Sequence, residues 1–341
     1  MDSNSSNRDS ITFNDNILYP IYFGSYFLLT LFSHSSVLLL VILKTPLFFR
    51  DFRIFLINSS LLQVLMCSLI CFTQVRPVLN PNSTAYLFSG YCKSFQKNVC
   101  FFAFDFFQLV FDASAFAIPV TLYYKYSKVT NLNGRELSRT RVRLILFGSF
   151  LLSIVVGMIY VVTYRPEESL MVESETKQQF PNNYDYSQYA QITGYQIHFW
   201  SSLTNDLNML SIYTPPIISL VFIRLIQNKL NSLKHMFTDK TIAQARKFDL
   251  ALSIQTLVPA VCVIPVYTIH LIIEIRELLE LEKILYIMLA LPTAIDAFIV
   301  IFTITPYHNA FISFFRPFFC CKKVDVLRKK TINVSKVTSI F

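Results

Sequence analysis

Apolar side chains gather into seven long segments along this chain, separated by shorter polar connections. The segments lie at about residues 21–43, 54–74, 99–124, 144–164, 203–226, 248–273 and 284–307. A helix rises about 1.5 Å per residue, so each can cross a bilayer core of about 30 Å. The pattern predicts an all-α integral membrane protein, a bundle of seven transmembrane helices. A six-helix bundle is the alternative, because Asp206 and Arg224 leave only a short uncharged stretch in the fifth segment.

Basic residues in the connections predict which side of the membrane each connection occupies. The first, third and fifth connections and the C-terminal tail hold 22 of the 30 Lys and Arg residues, and the other side holds 8. Cytoplasmic loops carry the excess of Lys and Arg, so the N-terminus is predicted outside and the C-terminus inside. The chain then divides into an extracellular tail (1–20), the bundle (21–307) and a cytoplasmic juxtamembrane segment with a basic tail (308–341).

The tails and the first outer connection contain candidate sites of covalent modification. Asn4 and Asn82 each begin an Asn-X-Ser/Thr sequon on the predicted outer side, where a glycan can be added. Cys320 and Cys321 follow a run rich in phenylalanine and precede two lysines, a pattern typical of juxtamembrane palmitoylation. The preceding run itself suits a short helix that lies in the membrane interface.

Composition argues against an enzyme or a soluble nucleic-acid-binding protein. Hydrophobic residues make up 53% of the chain, above the roughly 45–50% of soluble domains. The net charge of +9 is explained by the basic cytoplasmic connections rather than by a nucleic-acid partner. The sequence has no HExxH, GxSxG, Walker or GxGxxG motif and no Cys/His spacing typical of zinc. It therefore predicts no catalytic residue, cofactor or metal.

Ionisable residues within the spans are the candidate ligand-binding groups. Asp105 and Asp112 lie seven residues apart in the third segment and so share one helical face. Charged groups at this depth are costly, and they normally face the interior of a bundle. Asp206 and His270 lie near the outer ends of the fifth and sixth segments and complete the set. The alternative is structural, since these groups can also hydrogen-bond a neighbouring helix.

Prolines in the last spans suggest helices that change shape. Pro259 and Pro265 lie in the sixth segment, and Pro292 lies four residues before Asp296 in the seventh. Each proline removes a helix hydrogen bond and creates a kink or a weak point. We expect these four residues to belong to a network that rearranges on activation.

Two cysteines near the start of the third segment leave their pairing open. Cys92 and Cys100 are eight residues apart, and the long connection before the fifth segment contains no cysteine. A helix of eight residues would separate them by about 12 Å, beyond the roughly 7 Å that a disulfide allows between Cα atoms. They can form a disulfide only if residues 93–99 are a loop; otherwise the thiols are free or differently paired.

Several short motifs resemble one family of membrane receptors. They are FLINSS from Phe55, QVRPV from Gln74, CKSFQKNVCF from Cys92, IQTLVP from Ile254 with the later Pro265, and the PY pair at Pro306. Together they resemble the delta class of nematode serpentine chemoreceptors, in the larger Str superfamily. His308 departs from the Arg that often follows Pro-Tyr in such receptors, and the acidic pair in the third segment has no counterpart assigned to the family pattern.

The resemblance implies a G-protein-coupled chemoreceptor that detects a small molecule in the ciliary membrane of a sensory neuron. It also implies a cytoplasmic heterotrimeric G protein as partner, with neither enzymatic activity nor a cofactor. The alternatives are a multi-span transporter and a ligand-gated odorant channel. An inside N-terminus would favour the channel, and inverted repeats, which are not evident here, would favour the transporter.

Overall fold

A computed structural model describes residues 3–45, 52–95, 97–130, 139–163, 166–181, 186–189, 192–232 and 279–319. Between 233 and 278 it describes only ten separate helical positions, from Leu250 to Thr268. Most of the predicted sixth segment therefore lies outside the described residues.

Helices make up most of the described chain, as the apolar pattern predicts. Their bounds are α1 (Ser3–Lys44), α2 (Arg53–Thr73), α3 (Lys97–Thr130), α4 (Arg139–Thr163), α5 (Pro166–Gln179), α6 (Phe199–Ser232), α7 (Leu279–Thr303) and α8 (Thr305–Phe319). α5 lies outside the seven predicted segments, and α8 begins within the last of them and continues into the predicted juxtamembrane segment.

Among the residues that the structure describes, four helices are long and apolar enough to cross a membrane. These stretches are Pro20–Lys44, Arg53–Thr73, Asn98–Thr130 and Met209–Ser232. A fifth is counted if α7 and the bent α8 form one span, and α4 contributes the shorter apolar stretch Leu144–Ile159. Many of their large apolar side chains, Leu28, Phe147 and Leu220 among them, are exposed to the surroundings of the bundle. Such exposure is expected where lipid covers the surface.

The seventh predicted segment ends earlier than its apolar pattern suggested. We predicted a helix to residue 307, but α7 ends at Thr303 and α8 leaves it at an angle of 97°. Pro306 explains the break, because proline is accommodated in the first turn of a helix, where its missing N–H has no helical partner. Tyr307 consequently belongs to α8, and it is 1% exposed.

A three-stranded antiparallel sheet, which the sequence analysis did not predict, covers one end of the bundle. Its strands are β1 (Val75–Leu79), β2 (Ser83–Phe88) and β3 (Ile192–Gln196), in that spatial order. β1 and β2 form a hairpin after α2, and β3 comes from the long connection before α6. We call this end of the bundle the sheet end.

Each face of the sheet packs against a different layer. Leu87 and Ile192 point towards α5, where they join a small apolar cluster with Val172. Tyr86 and Phe88 point the other way and belong to the main cluster of the bundle. The alternation follows from the two-residue period of a strand. The sheet is thus sandwiched between α5 and the bundle, and all six residues of β2 are buried.

Polar contacts fix α5 to the hairpin and to the connection that follows α5. The Glu175 carboxylate accepts hydrogen bonds from the Ser83 hydroxyl (2.5 Å) and from the Asn82 main-chain N–H (3.2 Å). The phenol of Tyr186 donates to the main-chain carbonyls of Thr176 (3.2 Å) and Phe180 (2.9 Å). Burial raises the pKa of Tyr186, which favours the protonated form that these two bonds require.

A disulfide joins Cys92 to Cys100 at the sheet end, with their Cα atoms 5.2 Å apart. The two residues do not belong to one continuous helix. Cys92 lies in a short 3-10 turn, Tyr91–Ser94, and α3 begins only at Lys97. The turn before α3 brings the two cysteines together, so the bridge forms although residues 97–99 are already helical and not part of a loop from 93 to 99.

Candidate functional site

One face of α3 carries a buried polar stripe of three side chains. Asp105, Gln108 and Asp112 follow one another at spacings of three and four residues, which place them on one side of the helix. Their exposed fractions are 4%, 9% and 1%. Both acids were predicted from the sequence and Gln108 was not, although its spacing from each acid marks it as their neighbour.

The deepest member of the stripe bonds to α6. The Ser211 hydroxyl donates to Asp112 Oδ1 at 2.5 Å. Elsewhere on α3, Gln63 Nε2 of α2 donates to Ser114 Oγ at 3.0 Å. The alternative role for Asp112, a hydrogen bond to a neighbouring helix, therefore has a definite partner in Ser211. The sequence could not identify this partner, because a serine within a span gives no distinctive signal.

Each of the other two members of the stripe has one oxygen atom without a hydrogen-bond partner. Asp105 Oδ2 and Gln108 Oε1 are buried acceptors with no partner within the described structure. Leaving a buried polar group unpaired costs about 1–3 kcal/mol, and native proteins keep few such groups. The part of the stripe nearer the sheet therefore offers two acceptor oxygens to a group that brings donors.

Aromatic rings connect the same part of α3 to the sheet. The Phe104 ring lies 4.7 Å from that of Tyr86 and 6.2 Å from that of Phe88, measured between centroids. The Tyr86 and Tyr195 hydroxyls are 3.4 Å apart, which links β2 to β3. A displacement of the sheet would therefore move the half of α3 that lies next to it.

A second polar group joins α1 to α7 around Thr293, which is fully buried. The Thr293 hydroxyl donates to the Ala290 carbonyl (2.6 Å), so the Tyr26 phenol must donate to Thr293 Oγ1. His34 Nε2 donates to the Thr293 carbonyl at 2.9 Å. These bonds connect two helices that are distant in sequence.

The four residues predicted to form an activation network differ in where they lie in the structure. Pro292 is buried immediately before Thr293, and Asp296 is half-buried and close enough to His34 to interact with it electrostatically. Pro265 is exposed at a helical position, whereas Pro259 lies outside the described residues. The structure therefore places Pro292 and Asp296, but not Pro265, next to a buried polar group.

At the end opposite the sheet, α8 is fastened to α1. The Thr45 hydroxyl donates to the Val41 carbonyl (2.5 Å), and the Tyr307 phenol donates to Thr45 Oγ1 at 2.9 Å. The bond explains how the first turn of α8 stays docked after the sharp bend.

The remaining predicted residues are not gathered into this interior. Asp206 is exposed on α6, and Asn82 is exposed at the turn between β1 and β2. Nothing is described for the side chain of Asn4, and His270, Cys320 and Cys321 lie outside the described residues. Among the described residues, no three His, Cys, Asp or Glu side chains are grouped as a metal site would require.

Comparison with known proteins decides the family. The sequence profile of the family described as "Serpentine type 7TM GPCR chemoreceptor Srd" matches residues 19–313. The chain belongs to this family. The match confirms the predicted family and the seven-transmembrane fold class, and it makes the protein a chemoreceptor of the G-protein-coupled type rather than a member of an enzyme family.

Individual relatives of this receptor come from Caenorhabditis elegans. It is 62% identical to serpentine receptor class delta-34 over 291 residues, which cover 83% of this chain and 97% of that one. Serpentine receptor class delta-51 is 28% identical, over 86% of this chain and 84% of its own. Serpentine receptor class delta-59 is 24% identical, over 96% and 97% of the two chains.

Proposed function

We propose that this receptor detects a small molecule bound against the α3 stripe and passes the signal to a heterotrimeric G protein. The observation that carries the proposal is Asp105, a 4% exposed acid whose Oδ2 atom has no partner in the described structure. A donor on a ligand would supply the missing hydrogen bond. His270 stays a proposed second contact, and exposed Asp206 is left out of the pocket.

The G protein is proposed to bind at the end that carries α8. The charge pattern of the connections predicts that this end lies in the cytoplasm and the sheet end outside. The Tyr307–Thr45 bond and the Thr293 group both connect α1 to the α7–α8 region, so a ligand-driven shift of α7 would reach this surface. We place the receptor in the ciliary membrane of a sensory neuron, the location that the family resemblance implies.

A screen of odorants and metabolites on receptor-expressing cells comes first, followed by dose–response curves for Asp105→Asn at matched surface expression. Loss of a partly desolvated ion pair with a cationic agonist should cost about 2–5 kcal/mol, roughly thirtyfold or more in potency. For a neutral agonist held by one hydrogen bond, about 1 kcal/mol corresponds to roughly fivefold.

Asp206→Asn is the matched control, because it makes the same change at an exposed acid of α6. Its dose–response curve should coincide with that of the unmodified receptor. Unchanged potency for Asp105→Asn, together with reduced delivery to the surface, would show that Asp105 serves only helix packing.

A further inference from the structure

Two free thiols lie one turn apart on the face of α2 that packs against α1. Cys67 and Cys71 are 1% and 8% exposed, and neither is in a disulfide. Residues four apart share one helical face, so the two side chains are neighbours. The Cys71 thiol donates to the Phe23 carbonyl of α1 at 3.3 Å, and the Cys67 thiol lies beside the Tyr26 phenol. The pair forms a buried dithiol between two helices.

This spacing is unsuited to a disulfide but suited to a bridging atom. Side chains four residues apart on a helix have Cβ atoms about 5–6 Å apart, whereas a disulfide needs about 3.5–4.5 Å. Closing the bond would require the helix to deform. A single atom bonded to both sulfurs lengthens the span, because each metal–sulfur bond adds about 2.3 Å.

We propose that Cys67 and Cys71 form a binding site for a soft thiophilic centre that takes two thiolates, in the class of trivalent arsenic and two-coordinate coinage-metal ions. Soft thiolates select such centres over harder ions. Because a buried charge is costly, a neutral arsenical adduct is favoured over the anionic complex that a monovalent metal ion would form with two thiolates.

The reaction with an arsenical balances without a redox step. With phenylarsine oxide, the two S–H bonds break and two As–S bonds form. The oxygen of the reagent leaves with both protons as one water molecule, and arsenic stays trivalent throughout. No other reactant is needed.

This site lies between α1 and α2 rather than on the α3 stripe, and it would give the receptor a second kind of ligand-binding site. Its position also links it to the rest of the bundle. Tyr26, beside Cys67, donates to Thr293 in the polar group that joins α1 to α7. A bridging atom at the dithiol is thus placed to act on the α1–α7 contact.

The test is intact-mass measurement of the purified full-length receptor after exposure to phenylarsine oxide. Cys262, Cys320 and Cys321 are first replaced by serine, because Cys262 is another free thiol and the last two are adjacent in sequence. We expect one phenylarsenic group per chain, removed by excess dimercaptopropanol. The adduct should raise the thermal midpoint of the receptor. Either Cys67→Ala or Cys71→Ala alone should prevent the adduct from forming.

Three results would overturn the site: no adduct on the folded receptor, an adduct that survives in both single variants, or one that forms only after denaturation. Thermal midpoints of the alanine variants before reagent is added verify that they are folded. Asp105→Asn in the same background should bind one phenylarsenic group as before, so this result stands or falls independently of the proposed ligand site.

Discussion

The bond between α3 and α6 gives the sharpest test of the bundle interior. Ser211→Ala removes the hydroxyl that donates to Asp112 Oδ1 at 2.5 Å and leaves a 1% exposed carboxyl without that donor. Losing one partner of a buried hydrogen bond costs about 1–3 kcal/mol. At about 2 °C per kcal/mol for a large chain, the thermal midpoint should fall by about 2–6 °C.

The same helix provides a matched control at Ser219. This serine is 0% exposed, and its Oγ atom has no partner within the described structure. Ser219→Ala removes a buried hydroxyl that makes no bond, so the midpoint should stay the same or rise. Both substitutions delete one oxygen from a buried position of α6, and only the hydrogen bond differs.

The assay is thermal unfolding of the purified receptor in detergent. Unfolding is monitored through the reactivity of thiols that are buried in the folded receptor. In an Asp112→Asn background, the cost of Ser211→Ala should shrink, because the partner of the hydroxyl has changed. Equal midpoints for Ser211→Ala and Ser219→Ala would refute the assignment of stability to the Asp112–Ser211 bond.

Other consequences can be tested separately. Gly194→Ala should disrupt the sheet and reduce surface delivery, because its new Cβ would lie 2.0 Å from a main-chain oxygen of β2. Gly24→Ala is the control, because its new Cβ would meet no atom within 4 Å and surface delivery should not change. A band shift removed by endoglycosidase and by Asn82→Gln is expected if the sheet end is outside; antibody staining of a C-terminal tag on intact cells would contradict the proposed orientation. Acyl-exchange labelling should fall when Cys320 and Cys321 are both changed to serine, and unchanged labelling would count against palmitoylation.

Sequence pattern was most informative where the deciding interactions are local. The predicted second segment, 54–74, nearly coincides with α2, because the apolar run ends at Gln74. That residue adopts a left-handed conformation (φ 41°) and its N–H caps the Ile70 carbonyl. The end of α7 was less visible, because apolar residues continue past Thr303 and only Pro306 marked the bend.

The sheet escaped prediction partly because its third strand pairs with residues far away along the chain. Tyr86 of β2 pairs with Thr193 of β3, more than a hundred positions away along the chain. A local hairpin signal did exist in the stretch VRPVLNPNSTAYLF, with its Asn and Pro residues at the turn. Pro77 argued against a strand, yet β1 is an edge strand, where proline is tolerated.

The same limit applied to the α3 stripe. Its acids could be read from their spacing, but Ser211 lies 99 residues from Asp112 and has no distinctive neighbours in the sequence. The lack of a partner for Asp105 also depends on what surrounds it in three dimensions. The sequence could therefore identify these acids as candidates, but it could not tell which of them binds a ligand and which holds helices together.

The sheet that covers the bundle has a consequence for how a stimulus is delivered. With apolar side chains packed on both of its faces, it acts as a plug with its own core rather than as the rim of an open vestibule. A compound confined to water at that end would have to displace this plug, whereas a lipophilic compound can approach the helices laterally from the bilayer. Potency across a homologous series would then follow the oil–water partition coefficient, with longer-chain members acting at lower aqueous concentrations.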